Sequence, residues 1–226
     1  MPSTMKDRTS DLSNRSINID CTFRCPLECP KCQRQSIIKA GFKVPGQDMP
    51  WGDFIKLAKF FKTKLFFCGQ ISDPIFHPNM IEMLKWCYEN NKAIKLNTAA
   101  SQKPIRWYEK AFDANPKARW TFGVDGLPKD SHKYRINQDG PKLFEVMKMG
   151  VKKGMMILWQ YIVFNYNEND IEEARKMAKD NGINFDVVYS GRWSVGDKLK
   201  PKNPKFYVNS DRGNFYKGHK MVLPND

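Results

Sequence analysis

Apolar positions in this chain recur in two alternating rhythms. Short runs that are continuously apolar, or apolar at every second residue, are followed by longer runs with apolar residues three and four apart. Residues 16–20 set Ile17 and Ile19 on one face and predict a first strand. Residues 51–62 carry Phe54, Leu57, Ala58 and Phe61 at helical spacing. Residues 64–68 read as a short buried strand, 79–90 as a helix with Met80, Met83, Leu84 and Cys87 inward, and 93–96 as a third strand. A helix over 104–114 opens on Pro104, where no amide hydrogen is needed, and 119–124 is a fourth strand. A helix over 141–153 is stopped by Gly154, 155–164 is the longest strand, and 170–180 is a helix with Asn169 as its cap and Glu172 three residues on. Residues 183–189 are the sixth strand. Between the first strand and the first helix, residues 34–48 read as irregular, punctuated by Gly41, Pro45 and Gly46.

Strand followed by helix, repeated with a period near 30 residues, predicts an α/β fold: a parallel sheet with its helices outside. Six such units are two short of a closed eight-fold barrel, so the expectation is a partial (β/α)6 barrel whose site lies at the carboxyl ends of the strands. Residues 16–190 make up this barrel, and residues 1–15 read as a flexible polar leader. In residues 191–226 the pattern dissolves into Lys, Pro, Asn and Gly, interrupted by Trp193, Phe206, Tyr207, Phe215 and Tyr216. Aromatics among lysines can stack on bases or line a peptide groove. They can also pin a basic tail across the open side of the barrel, and that packing role is the expectation here.

Composition narrows the class. At 41% hydrophobic and 13% aromatic residues the chain can bury a core and is not a disordered polymer. No apolar run approaches the roughly 20 residues of a membrane span, and residues 1–15 hold no apolar signal core, so a cytoplasmic location is the default. A net charge of +14 suits an anionic partner, nucleic acid included, and equally a soluble basic surface. Of six cysteines, four crowd into residues 21–32, which favours a metal site in a reducing compartment over disulfides. Cys87 reads as core packing, and Cys68 as a buried residue ending a strand.

The chemistry concentrates in Cys25-Pro-Leu-Glu-Cys29-Pro-Lys-Cys32, three thiols on one short loop directly after the first strand. Three thiolates hold a soft metal centre and leave a coordination position open, whereas four would close a structural site. A zinc knuckle with Cys21 as fourth ligand is the bland alternative. Zinc sites usually pair Cys-x-x-Cys with a second pair, and this chain has no second cysteine pair and only His77, His132 and His219. Cys21 is therefore read as the end of the first strand, near the metal but not on it.

The Cys-x-x-x-Cys-x-x-Cys spacing after a first strand resembles the radical S-adenosylmethionine (SAM) enzymes. The resemblance implies a [4Fe–4S] cluster held by Cys25, Cys29 and Cys32, with SAM on the fourth iron. It also implies reductive cleavage of SAM to a 5′-deoxyadenosyl radical that abstracts hydrogen from a substrate, and an electron donor such as flavodoxin or ferredoxin. The position before the third cysteine, often aromatic in that family, is Lys31. Gly69, Gln70 and Asp73, within Cys68-Gly-Gln-Ile-Ser-Asp-Pro, are similar to the Gly-Gly-Glu-Pro motif that cradles the SAM ammonium. Asn97 and Thr98 resemble the family's Thr-Asn-Gly strand end. Gly123-Val-Asp125-Gly-Leu-Pro followed by His132 and Arg135 is similar to the Ser-x-Asp-Gly-Pro…His…Arg run of the peptide-modifying, SPASM- or twitch-type branch. There Arg135 rather than His132 is the expected partner of the SAM carboxylate, because a guanidinium fork matches a carboxylate. Gln160, mid-strand, is the last expected SAM or substrate contact. With no cysteine after Cys87, the resemblance implies one cluster and none of that branch's C-terminal cluster domain. It points to a peptide or protein substrate first and a nucleotide or nucleic acid second. The rival reading is a non-catalytic, metal-binding nucleic-acid module.

Overall fold

A computed structural model describes residues 12–207. Its six strands, β1 (Ile17–Ile19), β2 (Leu65–Phe67), β3 (Ile94–Thr98), β4 (Arg119–Gly123), β5 (Met156–Ile162) and β6 (Asn184–Val188), form one sheet in chain order, and every neighbouring pair is parallel. The helices between them are α1 (Gln33–Lys39), α2 (Trp51–Phe60), α3 (Met80–Glu89), α4 (Ile105–Ala114), α5 (Gly140–Lys152) and α6 (Ile171–Asp180). The fold is the expected α/β partial barrel, a parallel sheet with outer helices. No helix among the described residues is long and apolar enough to cross a membrane.

Each predicted strand and helix is present, with ends shifted by a few residues. The irregular reading of residues 34–48 is corrected by α1, which begins directly after Cys32. Its sequence, Gln-Arg-Gln-Ser-Ile-Ile-Lys, buries no residue, so it carries no apolar stripe by which to be seen. At α6 the cap falls on Asp170 instead of Asn169, and no side chain caps the helix. The expected flexible leader is modified where it can be described. Lys62 N donates to Ser13 O at 2.7 Å and Thr63 Oγ1 to Arg15 O at 2.6 Å, which tie residues 13–15 to the end of α2. Residues 1–11 of that leader and 208–226 of the tail, with Phe215 and Tyr216, lie outside the described residues.

The two faces of the sheet differ in chemistry. One carries Leu65, Phe67, Leu96, Trp120, Phe122, Ile157, Trp159 and Tyr161, all at most 1% exposed, against the helices. Phe54 of α2 meets Phe67, Phe112 of α4 meets Trp120 edge-on at 5.1 Å, and Phe144 of α5 meets Trp159 at 5.6 Å. Burying each such ring contributes about 1.5–3 kcal/mol, which makes this layer the main source of stability. The opposite face presents Asn18, Phe66, Lys95, Asn97, Gln160 and Asp186, none of them fully buried. The field of Asp186 on β6 acts on Lys95 of β3, three strands away, as it does across the inner face of a curled sheet. A purely parallel sheet is normally apolar on both faces. Here the inner face is polar and incompletely covered, as a partial barrel that admits a ligand requires.

Candidate active site

Three lashings hold the cysteine loop across the carboxyl ends of the strands. Toward β2, Asp73 N donates to Arg24 O at 2.9 Å, and Arg34 Nη1 donates to the carbonyls of Phe23 and Ile71. Toward the segment after β4, Glu28 N donates to Ile136 O at 3.2 Å, Asn137 Nδ2 to Pro26 O at 3.1 Å, and Arg135 Nη1 reaches Cys29 Sγ at 4.0 Å. Toward the chain after β6, Lys31 pairs with Asp197 and lies over the ring of Trp193. Within the loop, Cys29 is buried and Cys25 and Cys32 are half-buried. Burial pushes the Cys25 thiol up to about 12, with Asp73 adding to the shift. Burial raises Cys29 too, against the guanidinium of Arg135, which favours its thiolate. Cys21, 1% exposed, and Cys87, 0% exposed, belong to the core.

The loop after β2 is organised by a residue the sequence reading passed over. Asp20, the first residue beyond β1, accepts from Gln70 N at 2.9 Å, from Ile71 N at 3.2 Å and from Ser72 Oγ. A carboxylate just past a strand end was the available signal. Inside this turn Gly69 has no room for a side chain, since a Cβ there would meet Ser72 O at 2.0 Å. Gln70 itself is exposed. Asp73 is 4% exposed, and its two oxygens accept from Thr98 Oγ1 at 2.9 and 3.0 Å, Ala99 N at 2.9 Å, Ala100 N at 3.0 Å and Ile75 N at 3.3 Å. The structure thus brings Asp73 and Thr98 together as a pin between the ends of β2 and β3. His77 staples the same loop to residue 49: Nε2 lies 3.0 Å from Met49 O, and Nδ1 accepts from Asn79 N at 3.1 Å.

Asn97 lies on the inner face, where its Nδ2 donates to Cys68 Sγ at 3.7 Å and its buried Oδ1 has no partner among the described residues. Asp125, 0% exposed, accepts from Arg135 Nε at 2.7 Å and from Ile162 N at 2.8 Å. Its backbone carbonyl accepts from Tyr166 Oη at 2.5 Å. Burial alone would lower the basicity of Arg135, but the adjacent Asp125 carboxylate, together with Cys29 and Tyr134, more than offsets it and keeps the guanidinium charged. Arg135 also explains Gly123 at the position where a serine was expected: a Cβ at 123 would stand 3.1 Å from Arg135 Nη2. Gln160 is in register with Gly123 on one side and Asp186 on the other, on the inner face. His132 is exposed and takes no part. Gln138 went unnoticed in the sequence and had no signal there. It is 6% exposed and donates to Ala99 O and, at 2.8 Å, to Gly123 O, joining the ends of β3 and β4.

The donor chemistry of the site is that of the cysteine loop: three soft sulfurs with one guanidinium beside them. Among the described residues no three Cys, His, Asp or Glu side chains converge closely enough to form a finished metal cage. The thiols fit a cluster by type, number and placement, and the loop would have to close around it. Asn97 Oδ1, on β3, and Gln138 Oε1, whose amide bridges the ends of β3 and β4, are buried acceptors with no partner among the described residues. Such atoms are what a bound polar group would satisfy.

No protein-family model and no curated protein matches the chain. Solved structures do. SuiB from Streptococcus suis superposes with a TM-score of 0.64 at 14% identity, over 84% of this chain and 43% of SuiB. SuiB bound to the precursor peptide SuiA gives 0.62 at 15% identity, over 84% and 42%. The anSMEcpe structure with bound AdoMet and the Cp18Cys peptide gives 0.60 at 14% identity, over 82% of this chain and 54% of that one. This chain therefore spans about half the length of the structures it resembles. At these identities the likeness shows the fold: the chain has a partial barrel of the form these structures share, the architecture that the resemblance to radical SAM enzymes implies.

Proposed function

We propose that this protein is a radical SAM enzyme that binds one [4Fe–4S] cluster through Cys25, Cys29 and Cys32 and acts on a peptide or protein. The observation that carries the reading is the three-thiol loop lying across the strand ends with Arg135 at Cys29 Sγ. When bound, the cluster would supply an electron for the cleavage of SAM to a 5′-deoxyadenosyl radical that takes hydrogen from the substrate.

The chain's own residues have definable tasks in this reading. Gly69 lets backbone carbonyls of the β2 loop approach an ammonium group, and Asp73 and Asp20 hold that loop in shape from below. Arg135, held charged by Asp125, has Nη2 turned toward Gly123, where it can meet a carboxylate. Gln160 and Asn97 face the inner side, where substrate would enter. The peptide assignment is supported by the two similar structures that carry peptides, SuiB with SuiA and anSMEcpe with Cp18Cys.

The test is anaerobic reconstitution with iron and sulfide. The brown protein should hold about four of each per chain. It should form 5′-deoxyadenosine when given SAM and dithionite. A colourless protein that takes up zinc and forms no nucleoside would refute the reading in favour of a metal-binding module. The net charge of +14 supports a nucleic-acid substrate as the second reading. Binding to RNA or DNA that weakens by orders of magnitude between about 50 and 200 mM salt would favour it over the peptide.

A further inference from the structure

Beyond β6 the chain doubles back over the strand ends. Residues 190–207 are anchored on the β5 loop: Asn165 N donates to Leu199 O at 3.0 Å, Asn203 N donates to Glu168 Oε2 at 3.0 Å, and Trp193 packs edge-on against Phe164 at 5.8 Å. Ser190 pairs with Tyr207 in an isolated bridge, which closes the segment on itself. From this strap, Asp197 and Trp193 reach the cysteine loop and take hold of one residue, Lys31, which stands directly before Cys32. The grip is sheltered. The Asp197 side chain is 7% exposed and that of Lys31 24%. Asp197 is set by its own turn, with Oδ1 accepting from Leu199 N at 3.0 Å. The other two lashings of the cysteine loop combine backbone bonds with the side chains of half-buried Arg34 and Arg135 and of Asn137. This one is a single cation held by a separable segment.

We propose that residues 190–207 are a clasp on the cysteine loop. Lys31 is a positioning residue whose hold on Asp197 and Trp193 keeps the Cys29–Cys32 turn in ligating shape, and metal on that turn in return fastens the strap. The coupling runs equally in both directions because it is one free energy shared by two sites. It rests on the reading of Cys25, Cys29 and Cys32 as cluster ligands.

The experiment is limited trypsin digestion of the full-length protein before and after anaerobic loading with iron and sulfide. It follows cleavage after Lys198 and Lys202, with iron content measured in parallel. Loading should slow strap cleavage in the wild type by roughly fivefold, the factor expected of one sheltered ion pair. D197N should take up iron but show no slowing, and should lose its iron to a chelator about fivefold faster than wild type. An Asp197 that served only to stabilise the strap would speed cleavage equally in both forms, and that result would overturn the proposal. Equal protection of wild type and D197N would do the same. If D197N fails to fold, K31M approaches the contact from the loop and carries the same expectation. A wild type that takes up no iron refutes the cluster reading, and this shows in the iron measurement whatever the digestion pattern.

Discussion

Arg135 and Asp125 form a buried ion pair, Nε to Oδ2 at 2.7 Å, and the same guanidinium extends Nη1 to Cys29 Sγ at 4.0 Å. One side chain thus links the carboxyl end of β4 to the cysteine loop. The Asp125 side chain is fully buried, so it depends on Arg135 for its charge to be tolerated. Arg135 in turn is aimed by Asp125, which leaves Nη1 and Nη2 directed toward the loop and toward Gly123.

Replacing Arg135 by Met should therefore cost about 3 kcal/mol of stability in the metal-free protein, because it strands a buried carboxylate. Urea unfolding of the apo form measures this. The double variant R135M/D125N should recover most of the loss. A single R135M variant with wild-type stability would show that the pair is not coupled.

Two glycines at the strand ends, Gly69 and Gly123, separate folding from ligand binding. G69A drives a Cβ into the backbone at Ser72 O and should lower stability by about 2 kcal/mol, since backbone cannot move aside cheaply. G123S meets only the end of a side chain, Arg135 Nη2. Its stability should change by less than about 1 kcal/mol. Its effect should appear instead as a raised KM for SAM, read from 5′-deoxyadenosine formation. Equal destabilisation of both variants would remove the distinction.

How much of this was legible in the sequence depended on what kind of signal each part leaves. The barrel was legible because its outer face is an apolar code with a period: Phe54, Met83, Leu84 and Phe112 sit where a helix needs them, and Leu65 and Phe67 where a strand does. The cysteine loop was legible because its spacing is local. Helix α1 was not, because it buries nothing. The couplings were not either. Asp20 to Ser72, Gln138 to the Gly123 carbonyl and Lys31 to Asp197 join residues apart in the chain, and nothing in either member alone names its partner. Lys31 shows this best. By itself it is a lysine where an aromatic was expected, and only the fold reveals the aromatic, Trp193, arriving from the far end of the described chain to lie under it.

Acid should loosen the frame of the cysteine loop at Asp48. Partial burial would raise its carboxyl, but Arg24 and Thr22 outweigh that and hold it below the ordinary carboxylate range. A depressed folded pKa contributes stability that is present above the unfolded value and is lost as pH falls through the folded one. D48N should thus be less stable than wild type by up to about 1 kcal/mol at pH 7, because the pair is partly exposed. The two proteins should converge below the ordinary Asp range. Denaturant midpoints measured from pH 7 down to the acid limit of reversible unfolding check this, and a gap that widens with acid would refute it.

The sharpest distinction concerns Asp73. If its carboxylate contacted the SAM ammonium directly, it would need a free oxygen lone pair facing the ligand. Instead both oxygens are engaged by Thr98 Oγ1 and by the amides of Ile75, Ala99 and Ala100. An asparagine there must turn its NH2 toward at least one N–H donor, which leaves a buried donor unmatched at a cost of about 1–3 kcal/mol. D73N should accordingly lose stability in the apo protein, and T98V should reproduce a smaller part of the loss through the same oxygens. The D73N/T98V double variant should fall short of the sum, as expected of residues that share a bond. A D73N protein of wild-type stability with a KM for SAM raised more than tenfold would place the carboxylate on the ligand instead.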